Sequence, residues 1–149
     1  MANEHVGPVL DDLIETLEDG HQGFAQAAEQ LAASGHPDLA AKMSEYSEQR
    51  RQFSTELRSL AGLVGHNYEE DGSLAGALHR GWMTLKDALT GDDPHAILAA
   101  AETGEDHAVR EFDDALGKQL PPEVADVVAR QALEVRSAHD TVKALRDQH

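Results

Sequence analysis

The sequence predicts an all-α fold, and three observations support this prediction. Aromatic residues make up only 4% of the 149 residues, so side chains that favour β-strands are scarce. No four-residue alternation of β-branched residues occurs. Apolar residues instead recur at spacings of three and four over long segments, which is typical of amphipathic helices. We expect a single domain over residues 1–149, since a chain of this size holds one core.

Proline and glycine mark where four long helices begin and end. Proline is favoured in the first turn of a helix, where its missing N–H costs no hydrogen bond, and glycine is favoured just past the end. Pro8, Pro37, Pro94 and Pro122 therefore mark starts, and Gly35 marks an end. The predicted helical segments are A (about 8–33), B (about 37–64), C (about 94–116) and D (about 122–147).

The connection between segments B and C is long, about residues 65–93, and contains a further short predicted helix. Ser73 can cap this helix, and Thr90 and Gly91 end it after Leu89. Segments A and B, and likewise C and D, are joined by short turns that make antiparallel neighbours. Two helical hairpins separated by a long crossover indicate a ferritin-like four-helix bundle. An up-down-up-down bundle with the extra helix packed outside is the competing topology.

Each long segment carries one polar residue in the middle of its apolar stripe. The stripe is interrupted by His21 in A, by Arg50 in B, by Glu105 in C and by Gln131 in D. Counting at about 1.5 Å per residue from the turns places these positions at similar heights. The sequence therefore predicts one buried polar layer across an otherwise apolar interior.

Two interpretations of this layer stay open. In the first, Arg50 and Glu105 form a buried ion pair, flanked by His21 and Gln131, that fixes the helix register. In the second, the layer binds Mn, Fe or Zn, which accept carboxylate oxygen and imidazole nitrogen. The ligands would then be Glu18, His21, Glu105 and His139. The fixed positive charge of Arg50 opposes this second interpretation, since a guanidinium does not lose its proton.

A complete di-iron site is not expected. Di-iron ferritin-like proteins use one Glu from each of two helices and a Glu-x-x-His motif from each of the other two. Segment B offers Glu48 with Arg51 at the His position of the motif. Segment D offers His139 with Arg136 at the Glu position. Half of the required pattern is missing, so the most that the sequence supports is a mononuclear or degenerate site for Fe or Mn.

Several short motifs run along the chain. They include Leu13-Ile-Glu-Thr-Leu-Glu-Asp-Gly20, Gly23-Phe24, Gly72-Ser-Leu-Ala-Gly-Ala-Leu-His-Arg-Gly-Trp82, Leu89-Thr-Gly91, Gly104-Glu105-Asp106 and His139-Asp140. In these motifs the chain resembles a bacterial family of uncharacterised ferritin-like four-helix-bundle proteins, over about residues 9–147. The resemblance implies the ferritin-like fold, and from the resemblance alone we expect a role in stress response. It implies no particular reaction.

Charge and composition exclude several function classes. The chain has 12 Lys and Arg against 28 Asp and Glu, for a net charge of −16. Such a surface repels phosphate backbones and anionic lipids, so neither nucleic-acid nor membrane binding is expected. The absence of cysteine excludes thiolate chemistry and fits a reducing compartment such as the cytoplasm. No glycine-rich phosphate loop or nucleophile elbow occurs.

These observations predict a soluble cytoplasmic bundle with a structural or interaction role, in which no pattern indicates an enzyme. Assembly into a homo-oligomer is compatible with this prediction. The alternative is a metal-binding oxidoreductase or metal-handling protein that uses Fe or Mn. Trp82 is expected to anchor the crossover helix on the bundle core, because Leu74, Leu78 and Leu85 share its helical spacing.

Overall fold

The computed structural model describes residues 6–66, 68, 81–91 and 93–149, and all regular structure in these residues is helical. The helices are α1 (Val6–Ala33), α2 (Pro37–Leu63), α3 (Leu85–Ala88), α4 (Pro94–Leu116) and α5 (Pro122–Gln148). The predicted all-α fold is confirmed, and the segments A, B, C and D correspond to α1, α2, α4 and α5. Helix α1 begins at Val6 rather than at Pro8.

The turn between α1 and α2 is built on Gly35. Its φ of 83° lies in the left-handed region, which L side chains rarely adopt. This conformation lets the His36 N–H donate to the Leu31 carbonyl oxygen over 2.9 Å, which satisfies an otherwise unpaired helix-end carbonyl. Pro37 then occupies the first turn of α2.

Helix α4 begins with a side-chain cap. The Asp93 carboxylate accepts a hydrogen bond from the His95 N–H over 3.0 Å, and Pro94 occupies the first helical position. Both features satisfy or avoid the unpaired N–H groups of a helix start. The predicted start of segment C is therefore confirmed.

The arrangement of the helices agrees with the ferritin-like connectivity. Helices α1 and α2 form one antiparallel hairpin, and α4 and α5 form the other. The hairpins join mainly through α1 and α4, which an up-down-up-down bundle would place across a diagonal. No described helix has the length and apolarity needed to cross a membrane.

The apolar core consists of two clusters at opposite ends of the bundle. The level that separates them passes between Leu17 and Phe24 on α1, between Tyr46 and Leu57 on α2, between Ala101 and Ala108 on α4, and between Val135 and Ala138 on α5. Arg50 and Glu105 lie at this level. Polar side chains thus divide the interior near its middle.

Trp82 packs in a slot between α1 and α4. A Cβ atom on Gly23 would lie 2.3 Å from the indole, and one on Gly104 would lie 2.2 Å from it. Only glycine leaves room for the ring at these two positions. Trp82 is 2% exposed and makes an edge contact with Phe24 at a centroid distance of 5.0 Å. Trp82 is therefore a core anchor, as expected from the sequence, but its expected place on the crossover helix is wrong: it precedes α3, which begins only at Leu85.

The extra helix within the described part of the crossover is short. Helix α3 covers Leu85–Ala88, and Leu85 is fully buried against the core. The predicted cap at Ser73 lies outside the described residues, as do Leu74 and Leu78.

Candidate functional site

A buried ion pair crosses the centre of the bundle. Arg50 on α2 and Glu105 on α4 are 1% and 0% exposed. Arg50 Nη1 donates to Glu105 Oε1 over 2.5 Å, and Nη2 donates to Oε2 over 2.7 Å. This bidentate geometry suits a guanidinium and engages both carboxylate oxygens.

The third nitrogen of the Arg50 guanidinium also has a hydrogen-bond partner. Its Nε donates to Gln49 Oε1 over 3.1 Å. Its Cζ lies 5.3 Å from the centroid of the Phe24 ring, within the range of a cation–π contact. The charge is thus compensated by one carboxylate, one amide and one aromatic face, which is the satisfaction that a buried charge requires.

His21 lies at the interface of α1 and α2 and is half-buried. The Ser47 hydroxyl donates to the His21 carbonyl oxygen over 2.7 Å. His21 Nδ1 lies 2.9 Å from Ser47 Oγ and 3.0 Å from the Ser47 carbonyl oxygen. Since the hydroxyl hydrogen is already used, Nδ1 is the donor in these contacts. His21 therefore binds Ser47 and makes no hydrogen bond to the central pair.

Gln131 is buried on α5 but is not hydrogen-bonded to Arg50 or Glu105. Its Nε2 donates to Glu56 Oε1 over 2.8 Å and to the Phe53 carbonyl oxygen over 3.3 Å. Both partners lie one to two turns beyond Arg50 along α2. The four residues expected in one layer are thus distributed over three contacts: the central pair, the His21–Ser47 contact and the Gln131 contact.

Glu18 takes part in a network between α1 and α2. Its Oε1 accepts hydrogen bonds from Ser54 Oγ over 2.7 Å and from Arg58 Nη2 over 3.0 Å. Arg58 in turn lies 5.0 Å from the centroid of the Tyr68 ring. Glu18 therefore belongs to a partly buried ion pair away from Glu105.

His139 lies between carboxylates of α4 and α5. Its Nε2 is 2.5 Å from Asp106 Oδ1, and its Nδ1 is 3.2 Å from Asp140 Oδ1. Burial lowers the pKa of His139, but the hydrogen bonds with Asp140 and Asp106 and the charges of Asp106 and Glu105 outweigh burial. The pKa of His139 is therefore raised above its ordinary value.

The structure does not bring the sequence-predicted metal ligands together. Each of these residues has its own partners, and the charge of Glu105 is one of the contributions that raise the pKa of His139. Across the ranges that the structure describes, one group of three His, Asp or Glu residues has ligand atoms all within 4.8 Å of one another. That group is Glu102, Asp106 and His139.

Sequence reasoning missed Glu102 and Asp106 because it searched for polar residues that interrupt the apolar stripes. Both residues flank the stripe of α4 at a spacing of four, which places them on the same side of the helix. Two carboxylates on one side of α4, together with His139 on the flank of α5, were the sequence features from which this cluster could have been predicted. Arg146, which contacts Glu102, was also missed.

Comparison with known proteins gave a family and a fold. The family model described as "Domain of unknown function (DUF2383)" matches residues 5–118. The structure of a Mycobacterium smegmatis Dps1 mutant, a ferritin-like bundle, is similar to this chain with a TM-score of 0.83, at 13% sequence identity and over 97% of each chain. At this identity the likeness shows the fold alone. Comparison with curated proteins gave no match.

Proposed function

This chain belongs to the DUF2383 family of domains of unknown function, and we propose for it a structural or interaction role without catalysis. In this proposal the ferritin-like bundle carries no di-metal centre, because its middle is closed by its own ion pair. The observation that carries the proposal is the bidentate contact of Arg50 with Glu105.

The chemistry of the central pair supports this proposal. A di-iron centre needs carboxylates and imidazoles from all four helices around two cations. Here Arg50 puts a permanent positive charge in the buried centre of the bundle, and it already binds both oxygens of Glu105. Glu18 and His21 bind partners on α2. A metal ion bound by these residues inside the bundle would have to displace all of these partners.

Aerobic oxidation of Fe²⁺ tests the proposal. The absorbance of ferric products measures the rate of oxidation. We expect Fe²⁺ to be oxidised no faster in the presence of the metal-free protein than in buffer alone. The Glu105→Gln variant, checked for folding by circular dichroism, should give the same rate as the wild type. Rapid oxidation by the wild type that disappears in Glu105→Gln would overturn the proposal.

The second candidate function is metal handling with Fe or Mn. The specific observation that favours it is the convergence of Glu102, Asp106 and His139 on one side of the α4–α5 hairpin. These residues lie beside the bundle centre, so metal handling there would not require the central pair to open.

The partner that we propose is a second copy of the chain. Leu63 on α2 is 83% exposed and Leu133 on α5 is 72% exposed, and burial of such side chains favours association. Sedimentation velocity tests this proposal: we expect a species larger than the 16.1 kDa monomer, reduced by Leu133→Glu. A monomer at every concentration would contradict it.

We also propose that nucleic acid is not a partner and that the protein acts in the cytoplasm. The net charge of −16 opposes binding to phosphate backbones, and the lack of cysteine suits a reducing compartment. A role in stress response, drawn from the family resemblance, belongs to the same proposal. A gel-shift experiment with duplex DNA at low salt should show free DNA only, and a salt-sensitive complex would contradict this part.

A further inference from the structure

A cluster of three metal-competent side chains lies on the side of the α4–α5 hairpin. We propose that Glu102, Asp106 and His139 form a site for one divalent transition-metal ion, and that Arg146 neutralises this site in the metal-free protein and is displaced when metal binds. The site deepens the second candidate function, metal handling, and rests on it; it is independent of the proposal for the central ion pair, because none of its four residues belongs to that pair.

The backbone places the three side chains together. Glu102 and Asp106 are four residues apart on α4, so both carboxylates leave the same side of that helix. His139 approaches from α5, and its Nε2 contacts Asp106 Oδ1. One ligand atom from each residue lies within 4.8 Å of the others, so small side-chain movements would bring all three to the distance of about 2.0–2.2 Å from one ion that N and O ligands adopt.

The donor set selects the class of metal. One imidazole nitrogen with two carboxylate oxygens suits Zn²⁺, Mn²⁺ or Fe²⁺, whereas Ca²⁺ and Mg²⁺ prefer oxygen ligands throughout. The site is open on one side, since the Asp106 side chain is 49% exposed and the Glu102 side chain only 12% exposed. Water can therefore reach the ion and complete its coordination.

A second carboxylate orients the histidine. His139 Nδ1 lies 3.2 Å from Asp140 Oδ1, on the opposite side of the ring from Asp106. A metal-bound histidine commonly donates its other N–H to a carboxylate in this way, which fixes the tautomer and leaves the first nitrogen free for the ion. Asp140 is therefore a positioning residue for the site.

Arg146 supplies the positive charge that two carboxylates at this spacing need. Its Nη1 contacts Glu102 Oε2, and its Nε and Nη2 donate to Asp147 Oδ1 over 3.1 and 2.7 Å. Because Arg146 already binds Asp147, it can leave Glu102 and keep one carboxylate partner. A metal ion would replace the lost contact, so the guanidinium and the ion compete for Glu102.

Isothermal titration of the chelator-treated protein with Zn²⁺ tests the proposal, with Co²⁺ absorption as a second readout. We expect one equivalent to bind, and binding to be lost in His139→Gln and Asp106→Asn. Asp140→Asn should weaken affinity by about 10–100-fold, since it removes only the orienting carboxylate. Arg146→Ala should tighten affinity severalfold, because the competing cation is gone.

A matched control is the pair formed by His66 and Asp11. His66 Nε2 lies 2.9 Å from Asp11 Oδ1, so this pair resembles the contact of His139 with Asp106, but no third ligand joins it among the described residues. His66→Gln should leave Zn²⁺ binding unchanged. This control distinguishes binding at a specific three-ligand site from general attraction of cations to an acidic surface.

Three outcomes would overturn the proposal. The first is the absence of stoichiometric binding by both the wild type and Arg146→Ala. The second is binding that persists in His139→Gln or that falls equally in His66→Gln. The third is loss of binding in Glu18→Gln or His21→Gln, which would assign the metal to the ligand set predicted from sequence. Neither of the first two outcomes would contradict the proposal for the central ion pair, which is tested separately by Fe²⁺ oxidation.

Discussion

Arg50 and Glu105 face one another through two parallel hydrogen bonds at the centre of the bundle, although 55 positions separate them in the sequence. Arg50 belongs to the first hairpin and Glu105 to the second. The pair therefore ties the two hairpins in one register. Its contribution is asymmetric, because loss of one partner leaves a buried charge, whereas loss of both leaves an apolar space that side chains can fill.

Replacement of Arg50 by alanine should destabilise the fold by about 3–5 kcal/mol, because it leaves the Glu105 carboxylate buried without its partner. Urea unfolding followed by circular dichroism measures this change. The control is Arg51→Ala on the exposed side of the same helix, which should leave the free energy of unfolding almost unchanged.

The double variant Arg50→Met with Glu105→Leu should recover most of the stability lost in Arg50→Ala. Two apolar side chains of similar size replace the pair without leaving a buried charge. If the double variant is as unstable as the single one, the cost lies in packing rather than in the unpaired carboxylate.

The slot for Trp82 gives a second prediction. Gly104→Ala should destabilise the fold by about 1–3 kcal/mol, because its Cβ would lie 2.2 Å from the indole and force the ring to move. Trp82 is the only tryptophan, so its fluorescence reports the displacement directly. The emission should shift to longer wavelength as water reaches the ring.

Gly62→Ala is the matched control for this slot. Gly62 lies within α2, and no atom lies within 4 Å of a Cβ placed there. Alanine should stabilise the helix by up to about 1 kcal/mol at this position, as its helix propensity predicts. Equal effects of the two substitutions would show that the indole does not fill the space beside Gly104.

The helices could be predicted from local chemistry, and the contact of Arg50 with Glu105 was one of two open interpretations. The partners of His21 and Gln131 could not be predicted. Proline and glycine act within one turn, so Pro37, Pro94 and Gly35 identify helix ends without knowledge of the packing. Counting residues from the turns also predicted that Arg50 and Glu105 lie at the same height in the bundle. The same counting failed for Gln131, because the level of the pair crosses α5 between Val135 and Ala138.

The candidate metal residues show a different limit of the sequence. Apolar periodicity identifies the residues that point directly inward, and Glu102 and Asp106 lie on the flank of that stripe. Which flank meets another helix depends on the rotation of α4 about its own axis. That rotation is set by packing around Gly104 and Trp82, which the spacing of apolar residues does not reveal.

The backbone conformation of Gly35 gives a third prediction. Gly35→Ala should destabilise the fold by about 1–2 kcal/mol, because φ is 83° and an L side chain is strained in that region. No atom would contact the new Cβ, so the whole effect comes from the backbone. Gly91→Ala, which also meets no neighbour but has no positive φ, should be nearly neutral in thermal unfolding.

The exposed pair of Glu48 and Arg51 gives a prediction about pH. The hydrogen bond from Arg51 lowers the pKa of the Glu48 carboxyl from 4.5 to about 2. A carboxyl whose pKa is lowered by folding stabilises the fold at every pH above its pKa in the unfolded chain. That contribution is lost as the pH falls from about 4.5 through about 2. The effect on stability should be small, since both side chains are exposed.

Carbon-detected NMR titration of the Glu48 carboxyl measures its pKa directly. Arg51→Ala should move the midpoint back toward 4.5, because the main cause of the shift is removed. Gln52→Ala is the control: the Gln52 amide donates to Glu48 only over 3.4 Å, so its loss should leave the midpoint near 2. A midpoint that does not respond to Arg51→Ala would mean that the guanidinium is not bound to Glu48 in solution.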